Sequence, residues 1–458
     1  MNARLSAGAL ALLLAACAPL PRAVPDNAQL ALPAAWSEAA PGGHAIEGAW
    51  WRQLGDAQLD ALIGEALANN NDLLTALARV DEARANWAAT DAARSPSLNV
   101  TTAAQTGRSL GAFAPTHTRS VQPGLQAAWE LDLWGRLSRQ SQAAGERLQA
   151  TQADRDAGAL AVAAATAQTW VGLLSLQEQF AIAQATVQSR EKALALAQAQ
   201  QRVGYISQLQ LTQAESELQN VLQQAEQLDL AARRQANALH LLLGRAGGTV
   251  PDGVPLRSLR LPPVPATLPS QLLERRPDIA RAAHLLAAAG HTLEAQRAAF
   301  LPQVSLSASA GSLLVNALDY NPLTVWSLGG SLLAPLFDGG RREAALDAAT
   351  AQRDQAAYAY RGAVLAAFAD VENALTASRR LARQTEHAVQ RRGVLQRSLG
   401  FAHDRYEAGY ASYLEELDAQ RNLFQAELEV VKLRQAELEN RVLLYKALGG
   451  GWQPDQKP

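Results

Sequence analysis

Apolar residues recur at heptad spacing between Leu211 and Leu242. With Leu211 as position a, nine of the ten a and d positions are apolar, as in a coiled coil. The ten positions are Leu211, Ala214, Leu218, Val221, Ala225, Leu228, Ala232, Gln235, Leu239 and Leu242. In the second half of the chain Glu416, Glu437 and Asn440 fall on the same seam. A narrow apolar seam leaves two polar faces, which fits either a long surface coiled coil or a tube wall that is wet inside and outside.

Two long stretches contain no proline. Arg136–Arg202 has 67 residues and Arg341–Gly409 has 69. Proline breaks helices, and a helix rises about 1.5 Å per residue, so each stretch predicts a helix of roughly 100 Å. After Gly204 a second helix is expected to run to Gly244, where glycine provides a C-terminal stop, and its counterpart is Ser412–Gly449.

Shorter stretches alternate between polar and apolar residues and predict strands. Helical patterning from about Asp56 ends at Ser95-Pro96. The first predicted pair of strands lies within about 97–134, with a loop expected over Gly107–Pro123 between its two strands. The second pair lies within about 302–337. The sequence therefore predicts four strands in two pairs.

The two halves of the chain repeat each other at an offset of about 205 residues. Gly204-Tyr205-Ile206-Ser207 returns as Gly409-Tyr410-Ala411-Ser412. Leu243-Gly244 likewise returns as Leu448-Gly449. So long a period indicates two structurally equivalent halves rather than a solenoid of short units. Two halves that supply the same elements suit a wall built by rotation.

The N-terminus has the features of a bacterial lipoprotein signal. Arg4 precedes an apolar run over 7–16 that is too short to span a bilayer as a helix. The only cysteine of the chain, Cys17, follows Leu14-Ala15-Ala16, which resembles a lipobox. By that resemblance the signal is cleaved before Cys17 and the thiol receives a diacylglycerol, and Ala18 favours sorting to the outer membrane. An incidental cysteine in a removed signal is the alternative.

Composition changes the picture mainly by exclusion. The chain is 48% hydrophobic and 18% charged with a formal net charge of −2, which does not suit disorder or nucleic-acid binding. The seven histidines are scattered and form no zinc signature, and neither a phosphate-cradling glycine loop nor a nucleophile elbow occurs. We therefore expect no enzyme activity, no metal and no cofactor beyond a covalent lipid on Cys17.

These patterns divide the chain into six segments. In order they are a signal peptide at 1–16, a lipidated extended leader at 17–55, a first repeat at 56–250, a proline-rich connector at 251–269, a second repeat at 270–450 and a C-terminal tail at 451–458. The long helices of the two repeats are expected at about 136–244 and about 341–449.

Four strands do not make a closed membrane barrel by themselves. A sheet in lipid must close, and single-chain bacterial barrels have at least eight strands. Two copies of the chain would supply eight strands and three copies twelve. A non-channel lipoprotein that forms a periplasmic coiled-coil scaffold is the competing interpretation, and it requires no strands in lipid.

Several segments resemble TolC-type outer-membrane efflux proteins, and most closely the lipoprotein channels of resistance–nodulation–division pumps. These segments are Leu14–Cys17, Glu274–Ile279, Phe300–Pro302, Pro335–Arg341 and Arg405–Arg421. The resemblance implies a mainly α fold with a small β part, in which a homotrimer forms a twelve-stranded outer-membrane β-barrel continuous with a twelve-helix periplasmic α-barrel. It also implies a periplasmic adaptor protein and an inner-membrane pump as partners, contact with outer-membrane lipid, and no nucleic acid.

The resemblance also assigns a role to the two turns between the long helices. In the family such turns lie at the periplasmic tip and contact the adaptor. Here they are Val203-Gly204-Tyr205 and Ala408-Gly409-Tyr410. Tyrosine replaces the family's leucine in both turns, and Ala408 replaces its valine in the second. Two ordinary helix-hairpin glycines are the alternative interpretation.

A periplasmic gate is expected just beyond the second turn. Glu415 and Asp418 are three residues apart, which places both carboxylates on one helix face. The resemblance implies acidic rings at these positions, which would favour cations, and matches Tyr406 to a gate tyrosine. Ala411 stands where a gate-locking arginine is found in the family, and Gln210 replaces its acidic partner. This chain therefore lacks that ion-pair lock. A solvated acidic face is the alternative for Glu415 and Asp418.

Overall fold

A computed structural model provides the structure of the chain. It describes residues 25–28, 30–31, 33–37, 48–110, 115–249, 251–265 and 269–452. Cys17, the signal peptide, much of the leader and the end of the tail lie outside the described residues. The α-helices are α1 Ala57–Asn69, α2 Asn71–Ala92, α3 Arg136–Arg202, α4 Gln208–Leu242, α5 Leu272–Arg275, α6 Pro277–Ala298, α7 Arg341–Glu407 and α8 Tyr413–Ala447. The strands are β1 Ser97–Leu110, β2 Pro115–Leu131, β3 Gln303–Val315 and β4 Leu323–Leu333. Short 3₁₀ helices occur at Asp26–Ala28, Trp50–Leu54, Leu256–Ser258, Pro269–Gln271 and Asn316–Leu318.

The long helices agree with the proline-free stretches. The helix α3 is continuous over 67 residues and so is α7. The returning helices α4 and α8 have 35 residues each. The fold is thus mainly helical with a small sheet, and each half of the chain contributes two strands and two long helices, as expected.

The residues group into two compact units, each assembled from three segments of the chain. The described residues of Met1–Leu30, Ala78–Gln152 and Arg281–Gly362 form the first unit, which therefore holds the whole sheet. Those of Ala31–Leu77, Ala153–Ala280 and Ala363–Pro458 form the second, which holds the turns that join the long helices.

The sheet of the first unit is antiparallel in the order β1-β2-β3-β4. Each strand pairs with its neighbours in this order, so β1 and β4 are edge strands whose outer sides have no partner among the described residues. Exposed backbone N–H and C=O groups on such edges favour pairing with another strand.

The two faces of the sheet differ in polarity, although both are largely exposed. Successive side chains in a strand point to opposite faces, and the register shows which positions share a face. One face, hereafter the apolar face, carries Leu98, Val100, Val121, Leu125, Trp129, Leu306, Leu314, Trp326 and Leu328. The opposite face carries Asn99, Thr101, Gln105, Gln122, Gln126, Ser305, Ser307, Ser309, Ser327 and Ser331. A two-sided exposed sheet of this kind has no core to cover its apolar face.

The strands extend further than expected at the end of the sheet near Leu110 and stop earlier than expected at the opposite end. The loop expected over Gly107–Pro123 was wrong, because β1 continues to Leu110 and β2 begins at Pro115. Proline inside β2 is tolerated since Gln122 and Pro123 leave the ladder to β3, so no donor is required there. At the other end β2 stops at Leu131 and β4 at Leu333, short of the expected limits.

The core of the second unit forms around α1, α3, α4 and α8. Trp170 is fully buried and donates its indole N–H to Asp56, 2.8 Å away. Trp50 is also buried and stacks on Tyr445, with ring centroids 5.7 Å apart. The surface leader expected to extend to residue 55 is therefore incorrect at its end, because Trp50–Leu54 packs into this core.

The heptad seam of α4 is buried largely as expected. Seven of its ten positions are buried, and Leu228, Gln235 and Leu242 are half-buried. The polar residues on the second seam are also covered: Glu416 and Asn440 are buried. Asn440 donates to the carbonyl of Ala374 at 3.0 Å, which satisfies its buried amide.

Both returning helices end in the same close contact. Gly244 and Gly449 follow α4 and α8 with φ of 70° and 88°. A Cβ at Gly244 would clash with the backbone oxygen of Asn69, and one at Gly449 with that of Arg275. Only glycine combines this backbone conformation with so close an approach, so the duplicated glycines stabilise equivalent joints in the two halves.

One helix among the described residues, α3, contains a segment long and apolar enough to cross a membrane by length and composition. Of that segment, 61% is buried within the chain itself. A buried apolar segment is typical of a core helix, so we do not interpret α3 as a membrane span.

Candidate functional site

The two turns of the second unit have the same backbone structure. In the first, Gly204 has φ of 75° and donates to Gln201, while Tyr205 donates to Gln200, each at 2.9 Å. In the second, Gly409 has φ of 74° and donates to the carbonyl of Tyr406 at 3.0 Å, while Tyr410 donates to the carbonyl of Arg405 at 2.8 Å. This hydrogen-bond pattern is the Schellman motif, which ends a helix with glycine in the left-handed conformation.

The two turns differ in the residues that follow them. After the first turn Ser207 and Gln210 form a capping box, with the Ser207 N–H donating to the Gln210 side chain at 2.9 Å. Ser412 makes no side-chain cap. The residue equivalent to Gln210, Glu415, instead pairs with Arg405 at 3.3 Å. The two turns therefore share the same backbone structure but differ in the charge of the residues that follow them.

The turns expose large apolar side chains. Val203, Tyr205 and Tyr410 are 79%, 74% and 81% exposed, and Leu209 and Leu414 beside them are exposed as well. We call these five residues the tip surface. Ala408 and the two turn glycines complete the turns that the sequence analysis assigned to adaptor contact. Exposed apolar residues grouped in this way are typical of protein-interaction sites.

The two predicted gate carboxylates lie side by side at the start of α8. The side chains of Glu415 and Asp418 are 45% and 60% exposed, so both reach solvent in the single chain. Asp418 lies 3.6 Å from Arg421, and Glu415 is paired with Arg405. Each carboxylate thus has a nearby arginine. Because these pairs are exposed to solvent, each contributes little to stability.

The two other predicted gate residues occupy a different place. Tyr406 and Gln210 both line a cavity of about 1090 Å³ between the helices near the turns, together with Tyr205 and His403. Tyr406 packs against the buried Tyr413 with ring centroids 5.9 Å apart, and burial raises the pKa of both phenols. The structure therefore brings Tyr406 and Gln210 together and leaves Glu415 and Asp418 outside this cavity.

A buried ion cluster beside the cavity was missed by the sequence analysis. Glu217 of α4 accepts from Arg421 of α8, with Nη2 at 2.7 Å and Nε at 2.8 Å. Arg190 of α3 lies 4.0 Å from the same carboxylate, and the side chains of Arg190 and Glu217 are each only 4% exposed. The cluster connects three helices, and burial lowers the pKa of Arg190 even though Glu217 acts against this.

A second missed pair links α7 to α8. The Nδ1 of His403 lies 3.0 Å from Glu416, and its Nε2 lies 3.3 Å from Glu407. The hydrogen bond to Glu416 raises the pKa of His403, although partial burial acts in the opposite direction. Glu416 is buried because it occupies the heptad seam, so a polar residue on the seam was the available signal for this pair.

The segment Glu274–Ile279 is a structural joint rather than part of the tip. The buried Arg276 donates to Asp278 at 2.6 Å, to Asp370 of α7 at 3.1 Å and to the carbonyl of Ala447 at 3.0 Å. Hydrogen bonds to these carboxylates hold the pKa of Arg276 above its usual value against the effect of burial. One arginine thereby connects the start of α6, the middle of α7 and the end of α8.

No group of three or more His, Cys, Asp or Glu residues placed to hold a metal ion occurs within the described ranges. The predicted lipidation site, Cys17, lies outside these ranges.

The chain is similar to known outer-membrane efflux proteins over most of its length. The family model described as "Outer membrane efflux protein" matches residues 62–245 and 268–450. "Pyoverdine export outer membrane protein OpmQ" of Pseudomonas aeruginosa is 35% identical over 458 residues, covering 97% of this chain and 96% of the relative. "Cation efflux system protein CusC" of Escherichia coli O6:H1 is 34% identical over 412 residues, with 89% of each chain covered.

A solved structure agrees with these relatives. A crystal structure of CusC, described in terms of folding and transmembrane channel formation, superposes with a TM-score of 0.82 at 31% identity. The match covers 95% of this chain and 99% of that chain. The similarity thus extends over both compact units and both sequence repeats.

Proposed function

Since the chain belongs to the outer membrane efflux protein family, and so is an outer-membrane efflux protein, we propose that it acts as a passive trimeric exit duct. In this role it docks a periplasmic adaptor and an inner-membrane pump of the resistance–nodulation–division type. The duct performs no catalytic step, because transport through it needs only an open path and an energised partner.

The two-faced, open-edged sheet is the observation that carries this proposal. Its apolar face suits lipid and its polar face suits a water-filled lumen, as in membrane barrels. The free edges of β1 and β4 must be paired in lipid, where unsatisfied backbone groups are costly. Four strands from each of three chains give a closed barrel of twelve, with β1 of one copy beside β4 of the next.

The tip surface supports adaptor docking. Its five apolar residues, Val203, Tyr205, Leu209, Tyr410 and Leu414, are exposed in two copies of one turn structure. Three chains would present six such turns, so an adaptor that recognises the turn backbone would find six equivalent positions. The residues that differ between the two turns would then distinguish alternate positions.

Glu415 and Asp418 support a cation-favouring aperture beside the tips. Both carboxylates are exposed near the start of α8, so threefold symmetry would place six acidic groups around the axis. With Ala411 and Gln210 in place of the family's ion pair, the closed aperture must be held by other contacts. Tyr406, which packs on Tyr413, belongs to the helix pair that would move.

We further propose that Cys17 carries the covalent lipid that tethers the leader to the outer membrane. The support is the Leu14-Ala15-Ala16-Cys17 sequence and the outer-membrane family of the chain. One relative is named for pyoverdine export and another for cation efflux, so ducts of this family are associated with chemically different cargoes. We propose that the cargo of this duct is set by its pump.

Planar-bilayer recording of the purified mature protein tests the proposal. The protein is expected to run as a trimer and to conduct ions, and the variant Glu415→Gln/Asp418→Asn should conduct at least as readily. Absence of conductance in both proteins would refute the duct.

Membrane retention of Cys17→Ser separates the duct from the scaffold lipoprotein. A duct should remain in membranes after a carbonate wash, because its barrel is integral. A scaffold held in the membrane only by its lipid would have lost that tether in Cys17→Ser, and the same wash would release it.

A further inference from the structure

Three basic residues share the apolar face of the sheet at the end farthest from the helices. Arg108 of β1 lies directly opposite His117 of β2 in the ladder, and Arg119 is two residues further along β2 on the same face. Opposed side chains in a ladder are about 5 Å apart and diagonal ones about 7–8 Å. The three therefore form one compact cluster, which we call the basic patch, and all three are exposed.

The backbone that carries the basic patch is held in place by one side chain. Asn316, just after β3, accepts from the backbone N–H of Arg119 and donates to the backbone carbonyl of His117, each at 2.9 Å. These bonds extend the pairing between β2 and β3 to the end of the sheet. The positions of His117 and Arg119 are thus fixed by the fold rather than by a loose hairpin end.

The basic patch has no anionic partner within the described part of the chain. No ion pair of the described residues involves Arg108 or Arg119, and the sequence has no Asp or Glu between Ser97 and Trp129. Between Gln303 and Phe337 the only acidic residue is Asp319. The charge of the patch is therefore available to an external anion.

Position along the strand places the patch at a membrane interface. An arginine on the lipid face of a barrel is strongly unfavourable at the bilayer midplane and nearly neutral at the interface. From Leu98 to Arg108 is ten residues, or about 34 Å along an antiparallel strand. At a strand tilt of about 40° this is roughly 26 Å of membrane thickness, close to the apolar band of about 25 Å in such barrels. With Leu98 at the helix-side interface, the patch lies at the opposite one.

We propose that the basic patch binds the phosphate groups of the saccharolipid of the outer leaflet, lipopolysaccharide. This rests on the proposed function, in which the helices are periplasmic and the far end of the sheet therefore faces the cell surface. The glucosamine disaccharide of lipid A carries phosphates at the depth of the patch. Arginine binds phosphate oxygens through two parallel N–H donors, which suits Arg108 and Arg119. Each trimer would present three patches around the barrel.

Lipid binding to the purified, delipidated trimer tests this assignment. Native mass spectrometry would measure the binding of bisphosphorylated lipid A and of the same lipid with its phosphates removed. The variant is Arg108→Gln/Arg119→Gln. The control is Arg391→Gln/Arg397→Gln, which removes the same charge from two exposed positions of α7. Losing two charge-assisted phosphate contacts should weaken the binding of phosphorylated lipid A by about tenfold or more, while the control variant should bind it as the wild type does. Dephosphorylated lipid A should bind wild type and variant alike.

Equal binding of phosphorylated lipid A by wild type and variant would overturn the proposal. Equal binding of both lipids by the wild type would do the same, and so would displacement of the lipid by millimolar inorganic phosphate, which would indicate a free-anion site. If the double variant fails to fold, Arg108→Gln alone and Arg108→Lys/Arg119→Lys replace it, the lysine variant being expected to bind with intermediate strength. Conductance and trimer mass of the same samples report separately on the duct, so a conducting trimer without phosphate-dependent binding refutes only the patch.

Discussion

Replacing Glu217 by glutamine should destabilise the packing of α4 against α8 near the turns. The change keeps the shape of the side chain but removes the charge that Arg421 contacts at 2.7 Å and Arg190 faces at 4.0 Å. Arg421 is 45% exposed and can be solvated by water. Arg190 is only 4% exposed and would remain charged without its ion-pair partner, leaving Glu416 as a further carboxylate that acts on it. Its Nε already lacks a hydrogen-bond partner.

The cost follows from that orphaned charge. Removing one partner of a buried pair typically destabilises by about 3–5 kcal/mol. The lower end, about 3 kcal/mol, fits here because the Arg190 contact is long and Arg421 is half-exposed. Since 1.4 kcal/mol is about tenfold, amide hydrogen exchange that proceeds through local opening of α4 and α8 should be roughly 100-fold faster.

Hydrogen-exchange mass spectrometry of peptides from α4 and α8 measures this change. The matched control is Asp418→Asn, which removes an exposed carboxylate 3.6 Å from the same Arg421 and should change exchange by less than about fivefold. Adding Arg190→Met to Glu217→Gln removes the orphaned charge and should restore most of the protection. Unchanged exchange in Glu217→Gln, or no recovery in the double variant, would refute the reasoning.

Three further predictions follow from the joints and charges of the second unit. Gly449→Ala should lower the yield of folded trimer and its melting temperature, because it costs more than about 1 kcal/mol at a positive φ with no room for a Cβ, whereas Gly393→Ala, inside α7 with open space, should be neutral or stabilising. The raised pKa of His403 means that its contribution is fully present below its ordinary value of about 6.5 and lost as pH rises through the higher folded value, so the wild-type melting temperature should fall with rising pH in that window more than that of His403→Gln. Glu415→Gln/Asp418→Asn should reduce the cation-over-anion permeability ratio measured from reversal potentials in a salt gradient, and an unchanged ratio would show that these carboxylates do not line the aperture.

Much of the fold was predictable because its signals are local. The absence of proline over 67 residues was sufficient to predict α3, and the same signal predicted α7. The turn glycines were identified from their position between two helical stretches. Strand limits were less accurate, since Gly107 and Pro123 favour loops in isolation but are accommodated once neighbouring strands pair.

The site divides in the same way. Both turn structures and the exposed side chains of Tyr205 and Tyr410 agree with the positions expected from sequence. The capping box of Ser207 and Gln210 has a local sequence signature that the sequence analysis missed, whereas the pairing of Glu415 with Arg405 depends on how the turn brings α7 and α8 together. Their assignment to adaptor docking and gating stays a prediction.

The sequence by itself determined the secondary structure, the duplication and the chemistry available at each turn, because periodicity, proline and glycine act over a few residues. Only the tertiary structure decided which distant groups meet. Glu217 and Arg421 are 204 positions apart. Their ion pair depends on how α4 and α8 pack, and the pattern of either helix alone does not encode it. The two faces of the sheet depend on both the sequence and the tertiary structure. Alternation along each strand assigns residues to the faces, and the register between strands aligns them into one apolar and one polar surface.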